Sequence, residues 1–298
     1  MALLELGDGR QVHYETSGPV AAGQTALVFH HGQPGSAGLW DGMTEAAAAH
    51  GMSVIALSRP GYGYSDRRAG RSVADVVGDV TAVIDHLGVE RFVTAGWSGG
   101  GPHALACGAL MAPRCAAVAT IAGVAPYFGV DDLDFTAGMG PENVDEFEGL
   151  IAGDPSVEPL VNLIMSELRS IQADQLVDAF GGLVSQPDKD VLVGPFAEFV
   201  AGWMRLAAAS GHFGYWDDGQ AFVSDWGFDW AAMSVPVRVW RAGQDLMVPP
   251  SHGEWLASHV TGAKGVLFAD EGHISLFSRH IGEIVAGLVE DAGEAQDR

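Results

Sequence analysis

Lysine is nearly missing from this sequence: Lys189 and Lys264 are the only two in 298 residues. Basic residues number 15 against 38 acidic ones, a formal net charge of −23. So acidic a surface repels phosphate backbones and anionic bilayers, which argues against nucleic acid or a membrane as partner. The plain reading of the charge is solubility. Cysteine is equally scarce. Cys107 and Cys115 have no histidine pattern around them. That argues against a disulfide framework and a zinc site, and the pair reads as two small buried hydrophobes. No stretch approaches the ~18 consecutive apolar residues of a membrane span. Met1–Arg10 lacks the basic segment and long apolar run of a secretion signal. The expectation is a soluble, cytoplasmic monomer or homodimer that acts on a small molecule and needs no cofactor or metal.

What is present is a globular composition, 48% hydrophobic with slightly positive mean hydropathy. The length suits one large domain or two small ones. Leu3–Leu6 and Val12–Glu15 read as strands around the turn Gly7-Asp8-Gly9. Ala26–His30, Ser53–Leu57, Arg91–Gly96 and Ala116–Ala122 read as buried strands. They alternate with helical stretches at Ser36–His50, Val73–Leu87 and Gly99–Met111. In Val73–Leu87 the apolar residues recur at three- and four-residue spacings, and Gly88 stops the run. Such alternation predicts a parallel α/β sheet. It breaks over 126–230, where Val157–Ile171 and Ala197–Ala209 are the clearest helices and no strand is evident. It resumes with a strand at Val237–Arg241, a helix at Gly253–His259, a strand at Gly265–Phe268 and a helix at Ile274–Val289. The organisation read from this is an α/β core of 1–125 and 231–298 interrupted by a helical cap, 126–230.

The chemistry-bearing segment is Gly96-Trp97-Ser98-Gly99-Gly100, a G-x-S-x-G pattern. Alone it is weak, but here it follows an expected strand and opens an expected helix, the context the motif requires. A sharp strand-to-helix turn holds the serine in a strained conformation. Glycines at 96 and 100 remove Cβ atoms that would clash where strand and helix converge. Ser98 is the candidate nucleophile. The backbone N–H groups of Gly99 and Gln33 are candidate oxyanion donors, Gln33 lying in the tight loop His31-Gly32-Gln33-Pro34-Gly35. Of eleven histidines, His273 alone combines a strand end with the following helix start, so it is the candidate base. Asp245, after the strand Val237–Arg241, is the candidate orienting acid, and the chain order Ser98, Asp245, His273 suits this arrangement.

These segments, with Ser58-Arg59-Pro60-Gly61-Tyr62-Gly63-Tyr64-Ser65, resemble the α/β-hydrolase family in its cap-containing serine hydrolase branch of esterases and proline-iminopeptidase-like enzymes. The resemblance implies an eight-stranded, mostly parallel sheet flanked by helices. It also implies metal-free cleavage of an ester or amide-like bond through an acyl-enzyme, with a carboxylic ester hydrolase first and an aminopeptidase second. Relatives that release halide or open epoxides use an aspartate nucleophile, and Ser98 argues against those. Others carry the acid after the strand preceding the cap, where Ala122-Gly123-Val124-Ala125 has no carboxylate. The second block often begins with aspartate, and here Ser58 stands there. Iminopeptidase-like relatives hold a substrate amine on cap carboxylates, for which Glu142, Glu146, Glu148, Glu167 and Glu198 are available. Trp97, Met165, Phe199, Trp203 and Trp216 are candidate substrate contacts, while Asp217 and Asp218 read first as a solvated loop and second as facing the pocket. Two other functions keep the same residues: a ligand-binding protein or receptor with little turnover, and a lyase or carbon–carbon bond hydrolase.

Overall fold

Apolar runs that must bury both faces become the middle of a sheet. The structure, a computed structural model, describes residues 1–294; 295–298, the end of the expected core segment 231–298, lie outside the described residues. Ala2–Glu5 (β1) and Gln11–Thr16 (β2) form the hairpin read around Gly7–Gly9. Ala26–His30 (β3), Val54–Leu57 (β4), Phe92–Trp97 (β5) and Cys115–Ile121 (β6) are buried along their whole length. Val237–Ala242 (β7) and Lys264–Phe268 (β8) complete one eight-stranded sheet in the order β1-β2-β4-β3-β5-β6-β7-β8. β1–β2 and β2–β4 pair antiparallel, and every other pair is parallel.

The strand order reverses direction between β3 and β5. Loops leaving their C-terminal ends therefore diverge and leave a crevice, the usual ligand position in such sheets. Asp41–Ala49 (α1), Val76–His86 (α2) and Gly101–Leu110 (α3) follow β3, β4 and β5. The helical reading of 36–50 starts five residues too early. Ser36 is instead held by exchange with Trp203, its hydroxyl donating to the Trp203 carbonyl (3.1 Å) while Trp203 Nε1 donates to the Ser36 carbonyl (2.6 Å).

Between β6 and β7 lie six helices and, among the described residues, no strand: Pro141–Ala152 (α4), Val157–Leu168 (α5), Leu176–Phe180 (α6), Gln186–Val191 (α7), Gly194–Ala207 (α8) and Phe213–Phe222 (α9). Pro250–His259 (α10) follows β7, and His273–Glu294 (α11) closes the described chain. α1 and α11 pack together on one face of the sheet, and α2 and α3 lie on the other with α10. The helices between β6 and β7 meet the loops of the sheet through buried contacts. Gly61 and Gly214 meet so closely that a Cβ on Gly61 would lie 2.8 Å from the Gly214 nitrogen. No helix among the described residues is long and apolar enough to cross a membrane.

Four fully buried histidines are held neutral. Burial pushes His103 and His252 down to about 4 and keeps His30 and His31 well below the usual imidazole range. His252 is locked in one tautomer, accepting the Ala125 N–H at Nδ1 (3.1 Å) and donating from Nε2 to the Phe135 carbonyl (2.8 Å). In the unfolded chain these groups titrate near 6.5, so below that pH the unfolded state binds more protons. Their contribution to stability is complete above pH ~6.5 and is lost as pH falls toward 4. Calorimetry at fixed moderate salt is expected to show the melting temperature dropping between pH 7 and pH 5, with a shallower drop in His252→Gln.

Candidate active site

Ser98 sits where β5 turns into α3 with φ +56°, one of two non-glycine residues in the left-handed region among the described residues. That strain is enforced by contact. A Cβ at position 96 would lie 2.1 Å from the Gly100 carbonyl oxygen, and one at 100 would lie 2.1 Å from the His30 carbonyl oxygen. The crossing of strand and helix thus excludes any side chain at either glycine.

His273 is the first residue of α11 and is buried. Its Nδ1 donates to Asp245 Oδ2 at 2.7 Å. The other carboxylate oxygen, Oδ1, accepts the Met247 and Val248 N–H groups, both at 2.8 Å. With Nδ1 committed as donor, Nε2 of the neutral ring is an acceptor. Burial disfavours the imidazolium, but Asp245, and then Asp188, outweigh it and raise His273 above its ordinary value. Asp245 is raised by its own burial against the opposing pull of His273.

Ser98, His273, Gln33 and Trp97 line one small cavity of about 40 Å³. Ser98 and His273 make no hydrogen bond to each other among the described contacts. The N–H groups of Gln33 and Gly99 have no protein acceptor among the described residues. Those two residues are close, since a Cβ on Gly99 would lie 3.1 Å from Gln33 Cβ. The Gln33 N–H is held from behind. A trans peptide places its C=O and N–H on opposite sides. The Gly32 carbonyl on that peptide accepts from His31 Nδ1 (2.7 Å) and Arg59 Nη2 (2.9 Å). His31 Nε2 in turn accepts the Arg59 backbone N–H (3.0 Å), which fixes the tautomer that donates at Nδ1. Two donors on one carbonyl also polarise the N–H opposite. Arg59 and His31 had appeared in the sequence as parts of motifs without a task.

Asp188 was missed altogether. It lies in α7, is fully buried, and accepts the N–H groups of His273 (3.2 Å), Ile274 (2.8 Å) and Ser275 (2.9 Å). A carboxylate from α7 thus caps the helix that carries the histidine. Gly272 allows the approach, since a Cβ there would lie 2.4 Å from Asp188 Oδ2. The pattern Ser185-x-x-Asp188 marks only the local start of α7, where the pair forms a capping box.

A larger cavity of about 500 Å³ also reaches Ser98, Gln33 and Gly99, bounded by α4, α5, α6 and the start of α9. Of the candidate substrate contacts, Trp97 and Trp203 line the small cavity and stack on each other at 5.4 Å. Met165, Phe199 and Trp216 line neither cavity. Met165 is buried in the core, and Phe199 packs against Trp203 and Trp40. Glu142, Glu146 and Glu167 line the large cavity; Glu148 and Glu198 do not. Asp217 and Asp218 are not a solvated loop. Both are buried on α9, Asp217 paired with Arg67 (2.8 Å) and Asp218 with Arg59 (2.7 Å) and Arg71 (2.6 Å). Their arginines lie more than a hundred residues away in sequence, which hid the pairing. No three His, Cys, Asp or Glu side chains among the described residues are arranged to hold a metal ion.

A family model described as the alpha/beta hydrolase fold matches residues 25–279. Among curated proteins, the chain is 31% identical over 155 residues to a non-heme chloroperoxidase of Streptomyces lividans, covering 52% of this chain and 55% of that protein, so the match spans about half of that relative's length. It is 25% identical to a non-heme haloperoxidase of Rhodococcus erythropolis over 84% of each. Among solved structures, a bromoperoxidase from Bacillus anthracis superposes with a TM-score of 0.72 at 18% identity, covering 97% of this chain and 99% of that one. An esterase from Exiguobacterium antarcticum gives 0.66 at 19% identity, covering 98% of both. At these identities the structures establish the shared fold.

Asp188→Asn keeps the side-chain shape but removes the charge from three helix N–H groups. The expected loss of stability is about 2–3 kcal/mol, read from denaturant unfolding, and unchanged stability would show that the cap contributes nothing.

Proposed function

The chain belongs to the alpha/beta hydrolase fold family, and we propose that within it the protein is a serine hydrolase cleaving a carboxylic ester of a small molecule through an acyl-enzyme on Ser98. The observation that carries this reading is the buried 2.7 Å Asp245–His273 pair on the same cavity as a serine held at φ +56°. Ser98 Oγ attacks the ester carbonyl carbon as its proton passes to His273 Nε2. The oxyanion takes the free N–H groups of Gln33 and Gly99, each worth ~3–4 kcal/mol of transition-state stabilisation. His273 returns the proton to the leaving alkoxide, and the carbon–oxygen bond to the alcohol breaks. A water deprotonated by His273 then attacks the acyl carbon, releasing the acid and restoring Ser98. Asp245 keeps the imidazole in the tautomer that accepts at Nε2 and balances its charge. The mainly apolar walls of the large cavity favour an apolar ester over a peptide.

Ser98→Ala is expected to lower turnover of p-nitrophenyl esters by roughly four or more orders of magnitude. A fluorophosphonate adduct on the parent protein is expected to map to Ser98 by peptide mass spectrometry. Unchanged turnover in the variant overturns the assignment. The pH profile carries a second expectation. His273 accepts a proton only when neutral, and its pKa is raised. The kcat/KM should therefore rise with pH through one ionisation above the ordinary ~6.5. A profile flat between pH 6 and pH 8 counts against His273 as base.

A further inference from the structure

We propose that Glu146 and Tyr215 form a polar subsite in the wall of the large cavity that takes one uncharged acceptor oxygen, a ketone or ether, on an otherwise apolar ester. The proposal deepens the serine hydrolase reading and rests on it for the word ester.

Most of that wall is hydrocarbon: Phe147, Leu168, Ile171, Leu176 and Met204 contribute to it. Among the described residues, no lysine, arginine or histidine lines it. Glu142, Asp145 and Glu167 line it too, but they are exposed residues whose charges water screens. Glu146 differs in being only 5% exposed. Its Oε2 accepts the Tyr215 hydroxyl at 2.7 Å. Among the described residues its Oε1 has no hydrogen-bond partner, and it is not a sealed polar atom, so it is open to the cavity the residue lines.

A carboxyl in such a place is expensive to ionise. Among the described residues, the titratable groups around it offer no cation. They are Glu142 and Asp145 on its own helix, Glu167 on α5, and Tyr215, Asp217 and Asp218 on α9, the two aspartates already engaged by Arg67, Arg59 and Arg71. The pKa of Glu146 is accordingly pushed up to about 7 by burial, with the Tyr215 hydrogen bond opposing. In the neutral acid Oε2 is occupied as acceptor, so the proton resides on Oε1 and makes it a donor at the cavity wall. A ligand oxygen that only accepts matches it. An anionic ligand meets carboxylates with no compensating cation.

The subsite is fixed relative to Ser98. The Tyr215 carbonyl accepts Gln33 Nε2 at 2.9 Å, and Gln33 also supplies one of the free N–H groups beside the serine. The oxygen that Glu146 takes must therefore lie at one chain position from the scissile carbonyl, so the subsite measures length.

The test uses p-nitrophenyl octanoate, its keto analogues with the oxygen at successive chain positions, and the ω-amino octanoate. Binding is measured by calorimetry on the Ser98→Ala protein, so the result does not depend on turnover. One keto position is expected to bind about tenfold tighter than octanoate at pH 6. That ratio should shrink as pH rises through about 7, because the carboxylate cannot donate. In Glu146→Gln, which keeps an N–H donor and the side-chain shape, the ratio should persist without pH dependence. In Glu146→Leu it should fall to about one, and as a ratio it is indifferent to general losses of affinity. Equal binding at every keto position overturns the subsite. Preferential binding of the amino ester, strengthening as Glu146 ionises, overturns it in favour of an ammonium ligand. Neither result touches the hydrolase reading, which stands or falls on the Ser98 dependence of ester turnover.

Discussion

The guanidinium of Arg59 holds three distant parts of the chain together. It is 2% exposed and bonds the carbonyls of His31 and Gly32 on the loop after β3, while its other edge grips Asp218 on α9. Arg71 and the Tyr62 hydroxyl meet the same carboxylate. Burial alone would raise Asp218, but the two arginines hold it well below the usual carboxylate range. Two cations and one anion leave a positive charge sealed behind the loop that carries the Gln33 N–H. Such a group is poor evidence of net stability, since desolvation offsets much of the attraction. Its consequence is geometric. Removing Asp218 leaves two buried guanidiniums without their anion, and removing Arg59 frees the His31 and Gly32 carbonyls, so the group holds α9 and the loops after β3 and β4 to one mutual position, and the Gln33 peptide to one orientation.

That dependence explains what the sequence made legible. The sheet was readable because β3, β4, β5 and β6 are short apolar runs ended by turn residues, and burial on both faces demands that pattern. Ser98 was readable because the crossing of β5 and α3 excludes a Cβ at positions 96 and 100, and that exclusion is written as glycine. Asp245 and His273 were readable because each follows a strand on the same edge of the sheet. Constraints local in sequence leave local signatures. Asp188 leaves only the signature of its own helix start, because the α11 N–H groups it caps are 85 to 87 residues away. Arg59 and Asp218, 159 residues apart, are equally silent. Large apolar residues on helices α5, α8 and α9 look alike in sequence whether they face core or cavity. Met165 and Phe199 were therefore indistinguishable from Trp203 until the helices were placed.

The buried carboxyl groups in and around the site show how one residue type is given different tasks by its donors alone. Asp218 meets two guanidiniums and a phenol and is held as an anion. Asp188 meets three backbone N–H groups at the start of α11 and the N–H and hydroxyl of Ser185, and serves as a fixed cap. Asp245 meets two backbone N–H groups and an imidazole, so one oxygen is fixed and the other is left to orient a base. Glu146 meets a single phenol, too little to offset its desolvation, and burial pushes its pKa up to about 7. In a chain with 38 acidic residues, the count of carboxylates says little about a site. The number and charge of the donors facing each one decide whether it is structural, orienting or able to donate a proton itself.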